Sequence, residues 1–132
     1  MMTKNPISDS NSWSFQQSTG YIRNPEYEFV FEGYSGCGKG KNNPAMQNVK
    51  NVGVIPLGYY TIGEAYKDAH KGQLTMTLTP DSDNEMYGRS GFLIHGDSIA
   101  NPGTASEGCI IANFQTRQMI SLSECKRLQV IE

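Results

Sequence analysis

The sequence predicts a mainly β domain, a sandwich or half-barrel with one or two short helices. Three observations lead there. Fourteen glycines and six prolines in 132 residues place turns at close intervals. Short runs, 74–79 above all, alternate apolar and polar residues. Only 114–124 carries apolar residues at helical spacing.

The elements follow in chain order. Residues 1–12 read as a disordered lead-in, and 13–132 as one domain with a single modest core. From Trp13 the pattern alternates, Thr19-Gly20 turns the chain, and Tyr21-Ile22 and Glu28-Phe29-Val30-Phe31 resume it, which fits two or three hairpin-linked strands. The stretch 33–44 is so rich in glycine and asparagine that no helix or strand is expected to persist through it. It is not a phosphate-binding P-loop, because Gly40-Lys41 is followed by Asn42 rather than Ser or Thr. Residues 52–62 read as a strand interrupted by Pro56 and Gly58, with Tyr59 and Tyr60 as core and groove-wall residues. Phe92-Leu93-Ile94 is a short apolar strand running into His95-Gly96-Asp97. Phe114, Met119, Ile120 and Leu122 mark a short helix, and 128–130 a closing strand.

Composition excludes several functions. The net charge is −2 and the eleven basic residues are scattered, so nothing offers nucleic acid a basic face. No apolar run approaches the ~18–20 residues of a membrane span. The polar stretch 1–14 has no apolar h-region, so no conventional secretory signal is expected and the chain starts in the cytoplasm. Three cysteines without a CxxC pair, and two histidines without ligand spacing, put a zinc site out of reach. The odd count leaves at least one thiol unpaired, and Cys109 is the one expected to be free. Cys37 and Cys125 read as structural, and His70 as exposed.

The chemistry concentrates in Phe92-Leu93-Ile94-His95-Gly96-Asp97 and Ala105-Ser106-Glu107-Gly108-Cys109-Ile110-Ile111. A cysteine nucleophile needs an imidazole to take its proton, a third group to fix that imidazole, and N–H donors for the oxyanion. A strand delivers His95, and the Asn/Pro/Gly-rich loop at 97–104 is long enough to bring Cys109 back beside it. The N–H groups of Gly108 and Cys109 are the candidate oxyanion donors. Singly, such a cysteine is more often a small buried hydrophobe. The two flanking glycines, Gly96 and Gly108, mark backbone under constraint and raise the catalytic reading to an even match with the structural one.

His-Gly, a loop, then Ser-x-Gly-Cys resembles the signature of the L,D-transpeptidase catalytic domain, cysteine enzymes acting on peptidoglycan. Ile55-Pro56-Leu57-Gly58-Tyr59-Tyr60-Thr61-Ile62 is similar to that family's Pro-x-Gly-x-Tyr-x-Ile strand pair. The resemblance is closer to the type VI secretion L,D-transpeptidase effectors. It is carried by Gln17-Ser18-Thr19-Gly20, Gly33-Tyr34-Ser35-Gly36, Gly40-Lys41-Asn42-Asn43-Pro44, the block 88–98 and the block 105–111, and spans about 13–131.

The resemblance implies Cys109 as nucleophile and His95 as base and then acid, with Ser106 and Gly108 shaping the site. Asp97 is assigned either to orienting His95 or to substrate. The wider family has an arginine two residues after the cysteine, where this chain has Ile111. Arg89 is therefore the candidate for the substrate carboxylate, against its plain reading as a solvent-facing charge. Asn42 and Tyr60 are further candidate substrate contacts, with Lys41 and Asn43 as loop neighbours.

What the resemblance implies is an antibacterial effector acting in a target cell's periplasm, trimming tetrapeptide stems to tripeptides and exchanging terminal D-alanine for other D-amino acids. Its expected partners are stem peptides, D-amino acids, the secretion machinery and a cognate immunity protein, with no metal or organic cofactor. The alternatives are a resident enzyme forming 3-3 cross-links and an inactive peptidoglycan-binding module or secretion adaptor. An NlpC/P60-like endopeptidase is disfavoured because His95 precedes Cys109.

Overall fold

The computed structural model describes residues 11–132. Its elements are β1 (Trp13–Gln16), β2 (Tyr21–Arg23), β3 (Phe29–Glu32), β4 (Tyr34–Ser35), β5 (Gly58–Ile62), β6 (Tyr66–Asp68), β7 (Gly72–Pro80), β8 (Leu93–His95), β9 (Ile110–Ile111), α1 (Phe114–Leu122) and β10 (Arg127–Ile131). The strands join in one path, β3-β2-β1-β10-β5-β7-β8-β9-β4, with β6 paired to β7. Neighbours are antiparallel except β1 with β10 and β8 with β9.

The two ends of that path, β3 and β4, are separated in the chain by Gly33 alone. The sheet therefore curls back on itself into a nearly closed, barrel-like half-barrel, which leaves few free edges. Mainly β architecture with a single α-helix among the described residues is what the sequence predicts.

Strand parity builds the core. In β7, Met76 and Leu78 point inward while Thr77 and Thr79 face out; in β10, Leu128 and Val130 alternate with Arg127 and Gln129. Phe15, Tyr60, Ile94 and Ile110 complete the interior, each essentially without exposed surface. Burying a side chain of this size contributes roughly 1.5–3 kcal/mol.

Several expectations need correction. The strand expected across 52–62 begins only at Gly58, although Val54 and Ile55 just before it are fully buried. The 33–44 stretch does hold a strand, the two residues of β4, followed by single 3-10 turns at Gly38–Gly40 and Pro44–Met46. The helix forms at 114–122, capped by Asn113, whose side chain accepts the Thr116 N–H at 3.0 Å. Its buried face is Thr116, Arg117 and Ile120, while Phe114, Met119 and Leu122 are exposed. β7 covers the alternating run expected at 74–79, but β6, which pairs with it as a hairpin, has no counterpart in the expected elements. The lead-in expected at 1–12 lies outside the described residues as far as residue 10, and its Ser12 is buried.

Candidate active site

Strand β8 carries His95 and strand β9 follows Cys109, and the two strands run parallel with Ile94 opposite Ile110 and His95 opposite Ile111. One residue earlier, that register sets Cys109 opposite Leu93, whose backbone N–H donates toward the thiol. Parity then puts His95 and Cys109 on one face of the pair, while Ile94 and Ile110 point into the core. Strand spacing and a two-residue offset separate their Cα atoms by roughly 8 Å, with both side chains projecting from the same face. Both side chains line one cleft of about 640 Å³.

The imidazole is oriented from behind. His95 Nδ1 lies 2.8 Å from the Gly96 carbonyl, which can only accept, so Nδ1 carries the proton and Nε2 the lone pair. Nε2 is buried with no hydrogen-bond partner among the described residues. An unpaired buried nitrogen is costly unless a substrate or a transferring proton uses it. Burial pushes the imidazole below its ordinary range, outweighing the Gly96 contact, and the Lys71 and Arg117 charges push the same way. Burial likewise pushes the Cys109 thiol up, against the Leu93 N–H and the Lys71 charge. The resting pair is thiol and neutral imidazole.

The turn into Cys109 is braced by two buried serines. Ser106 Oγ accepts N–H groups from Gly36 at 2.8 Å and Gly108 at 3.0 Å, and donates to the Cys109 carbonyl at 2.6 Å. Ser35 Oγ donates to the Gly108 carbonyl at 2.8 Å and accepts the Ile55 N–H at 2.9 Å. Gly108 has φ +142°, and a Cβ there would meet Arg89 Nη2 at 2.6 Å, so both conformation and space demand glycine. At Gly96 a Cβ would lie 2.9 Å from Arg117 Nη2, so that guanidinium would have to shift.

Residues 29–132 match the Tlde1 domain. The chain belongs to the Tlde1 family, the type VI secretion L,D-transpeptidase effectors. That is a family of secreted effectors with L,D-transpeptidase-type activity on peptidoglycan, acting in the periplasm. No curated protein matches the chain. The match runs from β3 to β10 and so includes the whole cleft of the Tlde1 domain.

Within this Tlde1 domain the candidate residues separate. Cys109, His95, Ser106 and Gly108 come together as described. Gly108 is not a free oxyanion donor, however, because its N–H is held by Ser106. Arg89 borders the cleft but is 5% exposed, and its terminal nitrogens donate to the carbonyls of Gln47, Gly53, Val54 and Glu107. Its guanidinium also stacks 5.2 Å from the Phe92 ring. A group committed in this way ties loops together and has little left for a substrate carboxylate.

Asp97 does not orient His95. Its carboxylate accepts the Tyr34 hydroxyl at 2.6 Å and the N–H groups of Ser98 and Gly103. Burial alone would raise that carboxyl, but these donors outweigh it and hold it below its ordinary range. Tyr34 in turn accepts the Ala105 N–H at 3.0 Å, and its phenol is pushed up to about 12 by burial and by Asp97. Asn42 is a backbone brace, accepting the Ser35 N–H at 3.0 Å, and stands outside the cleft lining. Tyr60 is fully buried, with its hydroxyl donating to the Pro56 carbonyl at 2.7 Å, so it belongs to the core rather than to a groove wall.

The sequence reading missed Arg117, Ser35 and the lip of the cleft formed by His70 and Lys71. Ser35 stood inside a family block without a role of its own. Arg117 lay on a helix read from its apolar residues. Lys71 lay on an unanticipated hairpin. Cys37, Cys109 and Cys125 are all free thiols. Among the described residues no three His, Cys, Asp or Glu side chains gather as a metal site, and no helix is long and apolar enough to cross a membrane.

Proposed function

We propose that this Tlde1 domain is a cysteine-dependent L,D-carboxypeptidase and L,D-transpeptidase of peptidoglycan stem peptides, with residues 13–132 as its catalytic unit. One observation carries the reading: an imidazole with a fixed tautomer and an unpaired buried Nε2 shares a cleft face with a half-buried thiol.

The Cys109 sulfur attacks the carbonyl of the third stem residue, the diamino acid at its L-centre, as its proton passes to His95 Nε2. The oxyanion takes the Cys109 N–H as donor, since the Gly108 N–H is already held. Collapse breaks the C–N bond to D-alanine, His95 returns its proton to the departing amine, and a thioester remains. Water attacking that thioester, with His95 again the base, gives the tripeptide and restores the thiol. The amine of a free D-amino acid attacking instead gives exchange. Both outcomes remove tetrapeptide donors that cross-linking needs, which is how a delivered effector injures its target. A cognate immunity protein in the producer completes this reading.

The test is mass spectrometry of muropeptides incubated with the purified protein. Wild type is expected to convert tetrapeptides to tripeptides, and to incorporate added D-methionine. Cys109→Ala and His95→Ala are expected to lower turnover by at least about 10³-fold, because nucleophile and base act as a unit. Muropeptides left unchanged by correctly folded wild type would end the enzymatic reading.

A further inference from the structure

The cleft needs a cation for an anionic substrate, and Arg89 is not available. Two exposed lysines remain in its lining: Lys50, from the segment before β5, and Lys71, from the β6–β7 hairpin. The one ion pair among the described residues, Arg127 with Asp81, lies elsewhere, so neither lysine has an acidic partner.

Lys71 is the better placed. Its turn is built: Asp68 Oδ1 accepts the N–H groups of His70 at 2.9 Å and Lys71 at 3.0 Å, and Thr75 donates to the Gly72 carbonyl at 2.9 Å. The Asp68 carboxylate is held further by the Tyr66 hydroxyl at 3.3 Å, so it serves the turn. Asp97, the acid on the far side of His95, is committed to Tyr34 and to backbone N–H groups. Lys71 lines the same cleft as His95 and Cys109, and among charged side chains its charge bears most on both.

We propose that Lys71 binds the free carboxylate of the departing D-alanine, and so selects stems that end at that residue over stems continued or amidated there. The assignment rests on the stem-peptide reading above. A D-alanine carboxylate lies one residue beyond the attacked carbonyl, and Lys71 lines the cleft in which that carbonyl would meet the thiol. An ammonium on a flexible stem suits it, because the carboxylate departs with the product and must be released each turnover.

The experiment uses two synthetic tetrapeptide stems, one ending in D-alanine and one in D-alaninamide, and follows release of the terminal residue. Wild type is expected to favour the acid. Lys71→Gln is expected to lose that preference through a KM on the acid raised about 5- to 50-fold, between the worth of an exposed ion pair and of a charge-assisted hydrogen bond. The amide is expected to change little, Lys71→Arg to keep the preference, and Lys67→Gln, on the same hairpin but outside the cleft lining, to behave as wild type. Equal slowing on both peptides would mean that Lys71 serves only the thiol, and a preference lost in Lys50→Gln instead would move the role there; either overturns the assignment and leaves the enzyme reading intact. No release from either peptide by wild type sinks both.

Discussion

His95 and Cys109 sit in an environment that penalises charge on either. Burial is the largest influence on each, lowering the imidazole and raising the thiol, so an imidazolium–thiolate pair is disfavoured at rest. Proton transfer then accompanies attack, and the Gly96 carbonyl keeps Nε2 as the accepting nitrogen throughout. The pH consequence has a definite sign. Protonated His95 cannot accept a proton, so kcat/KM falls with acid, and the fall is centred below the ordinary imidazole value of 6.5 because the folded pKa is depressed. A pH–rate profile on tetrapeptide checks this. An acid limb centred above 7 would mean that His95 is held as imidazolium by a resting thiolate. Alkylation of Cys109 in the free protein gives the companion measurement, expected to keep climbing beyond pH 9.0 because the thiol is raised above that value.

Loops, not strands, carry most of the cleft, and a few buried polar groups hold those loops in place. Tyr34 and Asp97 clamp the 97–105 loop to β4, with Lys41 4.2 Å above the Tyr34 ring. Arg89 ties the 47–54 segment to the turn before Cys109. Arg89→Met keeps the stem packing and deletes the fork, leaving buried carbonyls unpaired, with an expected loss of about 2–4 kcal/mol read as a lower Tm. Arg89→Lys is expected to recover little, since one ammonium cannot replace the two terminal nitrogens that together reach four carbonyls. A variant that keeps its Tm and raises only KM would restore Arg89 to substrate binding. This is where legibility in the sequence ran out. Met76-Thr77-Leu78-Thr79 and Leu128-Gln129-Val130 announce their strands because each has one wet face and one dry face. The two-residue strands β4 and β9 announce nothing, because their pairing is imposed by the rest of the sheet. Tyr59 and Tyr60 are chemically alike, and only strand parity makes Tyr60 core. Helix α1 misled through composition: Arg117 turns inward to the carbonyls of Ala112 and Gln73, and Phe114, Met119 and Leu122 face outward. The His95 and Cys109 blocks stood out because they match family motifs beside strand ends, their residue pattern alone leaving the catalytic and structural readings even. The partners of Arg89 lie in segments distant along the chain.

At the scale of the whole molecule, the closure of the sheet and the site share a seam. The parallel pair β8–β9 carries the proposed catalytic face, with His95 and Cys109 on it, and β9 pairs on its other side with β4. β4 follows β3 after one residue, so Gly33 joins the last strand of the path to the first. Its N–H donates to the Gly20 carbonyl at 2.8 Å, and a Cβ at position 33 would stand 2.1 Å from the Ile111 carbonyl oxygen. That oxygen belongs to backbone two residues beyond Cys109, which cannot yield without moving β9 against β8. Gly33→Ala therefore pries the seam apart and displaces the thiol from His95 together. The expected cost is about 1–3 kcal/mol, as for other overpacked sites, or roughly 3–15 °C in Tm for a domain of this size. Tetrapeptide trimming is expected to fall more than the folded fraction does, because an ångström of misplacement is worth about 100-fold in rate. Thermal melts and turnover measured well below Tm separate the two effects. A variant that melts as wild type does would mean that the seam has slack, and that the catalytic face is set by β8 and β9 without the closure around them.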